Sequence, residues 1–142
     1  MKKIILSLTI FCSVLISCNS MKTSNSKITS LEGPWELNYI SGPRIAFDGL
    51  YPNDKSTIVF DLKENKVYGK NSCNSYFGTL DADGNKINFK GPMGATKMFC
   101  PGEGENIYMT TLAKIDSYSV SEDGKILSLM TGDIAMIRFT SK

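Results

Sequence analysis

V-Y-G-K-N-S-C-N-S-Y-F-G-T-L, residues 67–80, is followed by D-A-D-G at 81–84, K-I-N-F-K at 86–90 and G-P-M-G-A-T-K-M-F-C at 91–100. The fold is read from this stretch. Short runs rich in β-branched and aromatic residues alternate with glycine, asparagine, serine and proline, which is the pattern of short strands separated by tight bends. Tyr76 to Leu80 and Lys86 to Lys90 read as a hairpin closed by Asp81-Ala82-Asp83-Gly84, with the glycine supplying a positive φ. Ala95 to Phe99 reads as a further short strand that stops at Cys100-Pro101-Gly102. Cys73 and Cys100 stand at the two bends of the stretch, each beside residues that favour special backbone angles.

Working outward, Trp35, Leu37 and Tyr39 alternate with Glu36 and Asn38, so this segment is expected to be a half-buried strand with Trp35 as a core anchor. Ser41 to Lys55 holds Gly42-Pro43, Asp48-Gly49 and Pro52-Asn53 and reads as a loop. Ser56 to Leu62 and Lys66 to Gly69 form a hairpin about Glu64-Asn65. Downstream, Glu105 to Ile115 is the one convincing helix, with Ile107, Tyr108, Leu112 and Ile115 on a stripe that Met109 and Ala113 widen. Glu103 and Glu105 suit its N-terminus. Tyr118 to Ser121, Lys125 to Met130 and Ile134 to Thr140 complete the chain as strands, turning at Asp123-Gly124 and Gly132-Asp133. One helix among roughly eight short antiparallel strands gives an α+β fold, a small antiparallel sheet curled into a partial barrel with the helix packed across one opening.

The 142 residues suit one globular domain behind a short appendage. Residues 1–17 have Lys2 and Lys3 ahead of an apolar run from Ile4 to Ile16, too short to span a bilayer with ease. The run ends in Leu15-Ile16-Ser17-Cys18, which resembles the lipobox of bacterial lipoprotein signals and makes Cys18 the expected lipidated N-terminus. An ordinary secretory signal is the alternative, and Cys12 is a poor candidate because bulky Phe11 precedes it. Residues 18–30 are polar and rich in serine and asparagine, a flexible tether, and residues 31–142 form the folded domain. Removing Lys2 and Lys3 with the leader leaves 14 basic and 14 acidic residues, so no cationic field for nucleic acid is expected. Histidine is absent, which excludes Ser-His-Asp and Cys-His catalysis and every histidine-containing zinc site.

G-P-W-E-L at 33–37, G-K-N-S-C-N-S-Y-F-G at 69–78, A-T-K-M-F-C at 95–100, and the run from Glu105 through Leu112 into Y-S-V and I-L-S-L together resemble the META domain, found in bacterial envelope lipoproteins of the heat-shock HslJ type. The resemblance covers nearly all of Leu31 to Thr140. Pro34 and Phe99 depart from its pattern, which has a small or polar residue and an alanine at those places. It implies a barrel-like sheet with a helix and a loose association with stress tolerance, envelope integrity or secretion. It implies no established enzymatic reaction, and no cofactor is expected.

In an oxidising envelope compartment Cys73 and Cys100 are expected to form a structural disulfide, with two buried or unpaired thiols as the alternative. A redox-active pair would call for C-x-x-C spacing or a cation at a helix start, and Lys97 alone is weak support. Asn71, Ser72, Asn74 and Tyr76 are the candidate ligand-binding loop, weighed against asparagines and serines that satisfy a bend. Met93, Met98, Cys100 and Met109 are soft donors but read better as core filler, and Asp81 and Asp83 read as turn residues rather than calcium ligands, so no metal is expected. The chain is therefore expected to be a non-catalytic monomer. It would be held in the cell envelope, on the periplasmic side or the cell surface, by a lipid on Cys18, and would bind an envelope protein or ligand. A protease-inhibitor-like module and a thiol-dependent enzyme are the alternatives.

Overall fold

The structure, a computed structural model, describes residues 30–44 and 46–142. The leader, the lipidation site Cys18 and all of the tether but Ser30 lie outside the described residues. The elements are β1 (Gly33–Ile40), α1 (Phe47–Leu50), β2 (Thr57–Asp61), β3 (Lys66–Lys70), β4 (Ser75–Thr79), β5 (Asp81–Asp83), β6 (Lys86–Asn88), β7 (Met93–Ala95), α2 (Gly104–Leu112), β8 (Ser117–Val120), β9 (Ile126–Thr131) and β10 (Ile134–Ser141).

All the strands join one sheet in the order β5-β6-β8-β9-β10-β1-β2-β3-β4-β7, antiparallel throughout. β4 lies near one end of that order and β5 at the other, yet only Leu80 separates them in the chain. The sheet must curl until its ends approach each other, and this is why it forms a partial barrel. Leu80 is buried at that junction, and its amide donates to the Asn65 carbonyl at 3.0 Å. The inward faces bury Trp35, Leu37, Ile58, Phe60, Val67, Tyr76, Leu127, Leu129, Ile137 and Phe139. α2 adds Tyr108 and Leu112, and Ile115 just past its end is fully buried. Trp35 is a core anchor as expected, 3% exposed, with its indole donating to the Leu31 carbonyl at 2.9 Å.

The structure differs from the sequence reading in five places, the first being that Ala95 to Phe99 is not a strand: β7 is Met93–Ala95, and the residues after it are held by the Asn74 side chain rather than by a ladder. Tyr76 to Leu80 does not pair with Lys86 to Lys90: β4 lies between β3 and β7, and the hairpin is β5 with β6. The turn is the pair Gly84-Asn85, with Gly84 at φ +60°, which frees Asp81 and Asp83 to be strand residues rather than turn residues. The alternation of β1 breaks at a register shift between Leu37 and Tyr39. Ile40 therefore points inward and Tyr39 outward, where the Arg138 guanidinium sits 4.4 Å from its ring centroid.

The remaining differences concern helices. A second, four-residue helix, α1, interrupts the loop before β2. It exists because Leu50 and Tyr51 are buried against the start of α2, where the Tyr51 hydroxyl donates to the Gly104 carbonyl at 3.0 Å. A Cβ on Gly104 would stand 2.7 Å from the Leu50 carbonyl oxygen, so this contact needs glycine. On α2 itself, Tyr108 and Leu112 face the core as expected, but Ala113 is exposed and Thr111 takes the buried place.

Candidate functional site

β3 ends at Lys70 and β4 begins at Ser75, so four residues make the bend between them. The Asn71 amide donates to the Asn74 carbonyl at 3.0 Å, and Ser72 is held at φ +114°, a conformation a side chain rarely adopts. That bend aims Cys73 at Cys100, and the two form a disulfide with a Cα–Cα separation of 5.9 Å, within the usual span of such a bridge.

Asn74 is the hub. Its side chain is 1% exposed, and it binds the segment leading to Cys100 as another strand would. Oδ1 accepts from the Met98 backbone N–H at 2.8 Å and from the Thr96 hydroxyl at 2.7 Å. Nδ2 donates to the Met98 carbonyl at 3.0 Å and to Glu105 Oε2 at 2.9 Å, and lies 3.1 Å from Cys100 Sγ. Thr96 closes the arrangement, its amide donating to the Ser75 carbonyl at 2.9 Å and its hydroxyl accepting from the Ser75 amide at 3.1 Å. Glu105 stands in the first turn of α2, where a carboxylate is favoured by the helix dipole, and its Oε1 accepts from Asn71 Nδ2 at 3.2 Å. One helix start thus fixes both asparagines. What all this holds is exposed: Met98 is 59% and Phe99 94% exposed.

Beneath the bend, Tyr76 donates to the Thr57 carbonyl at 3.0 Å and shares a 2.8 Å hydrogen bond with the Tyr108 hydroxyl. Burial pushes both phenols well above their ordinary range, so they remain protonated and serve as packed hydrogen-bond donors.

Of the four residues of the candidate loop, Asn71, Asn74 and Tyr76 turn inward and bond to protein groups, and only Ser72 keeps partial exposure. The structure brings them to one corner with three residues the sequence reading did not assign to it: Thr96, Glu105 and the exposed Phe99. Glu105 was legible only as a charge suited to a helix start, because its partners lie 31 and 34 residues away. Phe99 carried one signal, its departure from alanine in the pattern the chain resembles. The ligand atoms of Cys73, Cys100 and Glu105 lie within 4.8 Å of one another. With both sulfurs in the bridge neither is a thiolate, so the trio is not a metal site in this oxidation state. The soft-donor set Met93, Met98, Cys100 and Met109 loses Cys100 for the same reason.

The META domain family model matches residues 27–142. The chain belongs to the META domain family. A META domain in which Cys73, Asn74, Thr96, Cys100 and Glu105 converge on one corner explains why G-K-N-S-C-N-S-Y-F-G and A-T-K-M-F-C occur together: the second segment is the ligand of the first. Solved structures share the fold. A protein from Burkholderia xenovorans, determined by NMR, is 23% identical with a TM-score of 0.60, over 80% of this chain and 85% of its own. A crystal structure of a DUF4847 family protein from Bacteroides vulgatus is 17% identical with a TM-score of 0.51, over 79% of this chain and 94% of its own. At these identities the likeness concerns the fold alone. No curated protein matches the chain.

Proposed function

We propose that this META domain is a non-catalytic binding module of the cell envelope, tethered through a lipid on Cys18 and serving envelope stress tolerance. The observation that carries the reading is the Asn74 corner. A disulfide, a buried amide and a helix-start carboxylate fix a segment whose apolar tip, Phe99, is 94% exposed. A rigid loop that displays an aromatic ring loses little conformational freedom on binding, which is how preorganised binding loops gain affinity. Cys73, Asn74, Thr96 and Cys100 lie in the segments that resemble the META pattern, whereas Phe99 departs from that resemblance, which favours a fold role for the lock and a partner role for the tip. The absence of histidine and the closed disulfide support a non-catalytic role.

Complementation of a deletion strain under envelope stress tests the reading. The wild-type gene is expected to restore tolerance, and Cys18→Ala and Phe99→Ser are each expected to fail while the proteins accumulate normally. Full complementation by Phe99→Ser would remove the loop from the function, and full complementation by Cys18→Ala would remove the anchor. The protease-inhibitor-like alternative is favoured by the same rigid loop, which a protease would engage as it does a substrate. It requires stoichiometric inhibition of a protease that accepts an aromatic side chain, abolished by Phe99→Ser.

A further inference from the structure

The outer face of the sheet carries a second constellation, which meets the Asn74 corner at Ser75. Register pairs Pro34 with Val59, Val59 with Tyr68, Tyr68 with Phe77, and Phe77 with Gly94, so these residues form one row across β1, β2, β3, β4 and β7. At about 4.8 Å per strand the row is roughly 19 Å long. Trp35, Ile58, Val67 and Tyr76 alternate with it and are buried, so the row lies on the solvent side. Tyr68 is 43% and Phe77 64% exposed.

The Phe77 ring is seated. A Cβ on Gly94 would fall 2.5 Å from its Cζ and 2.9 Å from both Cε atoms, and those nearly equal distances place the point over the ring face rather than beyond its edge. One face of Phe77 therefore rests on Gly94 and the other is turned to solvent. Polar rows run on either side of the apolar one. Glu36, Thr57, Lys70 and Ser75 are successive register partners on one side, and Asp61, Lys66 and Thr79 on the other. Lys66 and Lys70 bracket Tyr68 on the same face of β3, while the outward residues of β4, Ser75, Phe77 and Thr79, are uncharged. The first polar row opens into a cavity of about 790 Å³ completed by Asn53, Asp54, Lys55 and Lys142. The cavity holds two carboxylates, Glu36 and Asp54, and Glu36 is engaged by Lys142 at 2.9 Å and Lys55 at 4.0 Å. The other side is a hollow of about 550 Å³ lined by Lys66, Tyr68, Phe77, Thr79 and Pro92 among others.

We infer that this face binds an anionic polysaccharide. A sugar ring has an apolar C–H face and a rim of hydroxyls, and it needs a flat aromatic surface flanked by hydrogen-bonding groups, which the seated Phe77, Tyr68 and the two polar rows supply. Acid groups on the chain meet Lys70, on the side away from Lys66, whose ammonium is paired with Glu64 at 3.1 Å. The row is one residue wide between polar margins, which suits a linear chain better than the broad apolar core of a protein interface. The inference stands apart from the reading of the Phe99 loop.

The test measures binding of the full-length protein, in detergent micelles, to polygalacturonate and to neutral dextran by calorimetry. The wild type is expected to bind polygalacturonate more tightly than dextran. Phe77→Ala and, independently, Tyr68→Ser should each weaken polygalacturonate binding by about tenfold or more, the scale of one lost aromatic contact. Lys70→Glu should weaken polygalacturonate binding while leaving dextran unchanged, and Phe99→Ser should alter neither. Both ring positions are exposed, and an unchanged thermal midpoint shows that each variant is folded. No binding of either polysaccharide by the wild type, or wild-type binding by both ring variants, would overturn the inference. So would a wild-type dimer, seen by sedimentation, that Phe77→Ala dissolves in the absence of any glycan binding, since a second copy would then occupy the face. Equal binding of the two polysaccharides would overturn the anionic part.

Discussion

Asn74 and Phe77 are three residues apart on the same bend and strand, and they exchange the places their chemistry would predict. The amide is 1% exposed and the phenyl ring 64% exposed. Burial of an amide is tolerable only when its hydrogen bonds are replaced, and Asn74 is ringed by the backbone of Met98, the Thr96 hydroxyl and the Glu105 carboxylate. Exposure of a ring forgoes about 1.5 to 3 kcal/mol of burial. Phe77 recovers a contact with Gly94. The contrast separates stability from display: the inward side of this stretch holds the molecule together, and the outward side is what it presents.

Substitution gives the largest measure of that difference. Asn74→Ala would strip the Met98 N–H and carbonyl of their side-chain partner and leave the Glu105 carboxylate with Asn71. Unsatisfied groups of this kind cost about 1 to 3 kcal/mol each, so a loss of about 3 kcal/mol or more is expected in urea unfolding. Phe77→Ala should change the same quantity by less than about 1 kcal/mol. Reducing the Cys73–Cys100 bridge, which spans 27 residues of sequence, should by itself remove roughly 3 to 4 kcal/mol. Because Asn74 and the bridge hold one segment, the two losses should not add. Equal losses from Asn74→Ala and Phe77→Ala would erase the distinction.

The strands, the main helix and the bends were legible because each is written locally. Trp35 and Leu37 alternate, as do Ile58 and Phe60; Tyr108, Leu112 and Ile115 recur with helical spacing, and Asn65, Gly84, Gly124 and Gly132 fall where φ is positive. Misread were features set by distant partners. Nothing local tells that β4 pairs with β7 across the loop before Met93 while its neighbour β5 turns away to the far end of the sheet. The shift at Leu37/Tyr39 is likewise invisible in a clean alternation. The candidate site was half legible. The compartment suggests pairing Cys73 with Cys100, and Asn71 and Asn74 stand out in the sequence as polar residues in a bend. Their inward orientation depends on Glu105, which the fold alone delivers.

Tyr76 lies between Asn74 and Phe77 and points inward, so pH offers an intermediate test. In the unfolded chain a phenol ionises near its ordinary value of 10.0, whereas burial raises the folded values of Tyr76 and Tyr108 above it. Their contribution is therefore complete below about pH 10 and is lost as pH rises towards the folded values. The folded state then holds protons the unfolded chain has released, which weakens it by about 1.4 kcal/mol per pH unit for each tyrosine. Unfolding midpoints in urea should be flat through neutral pH and begin to fall near pH 10. The slope should lessen in Tyr108→Phe. A midpoint unchanged well above pH 10 would mean that these phenols ionise as freely in the fold as outside it.

The smallest effect isolates the seat of Phe77. Gly94→Ala would put a methyl group 2.5 Å from the ring's Cζ, closer than packed carbons approach. The obstacle is the far end of a side chain that is otherwise exposed, so the ring can swing away. The expected stability cost is under about 1 kcal/mol, far below that of a true core clash. In a Phe77→Ala background the same Gly94→Ala change should cost less, because the three atoms nearest the new methyl group belong to the removed ring, and the difference between the two backgrounds measures the contact directly. If the cost were the same in both, Gly94 would be required by its own backbone rather than by the ring. Phe77 would then be exposed without support, an outward residue whose orientation the fold leaves open.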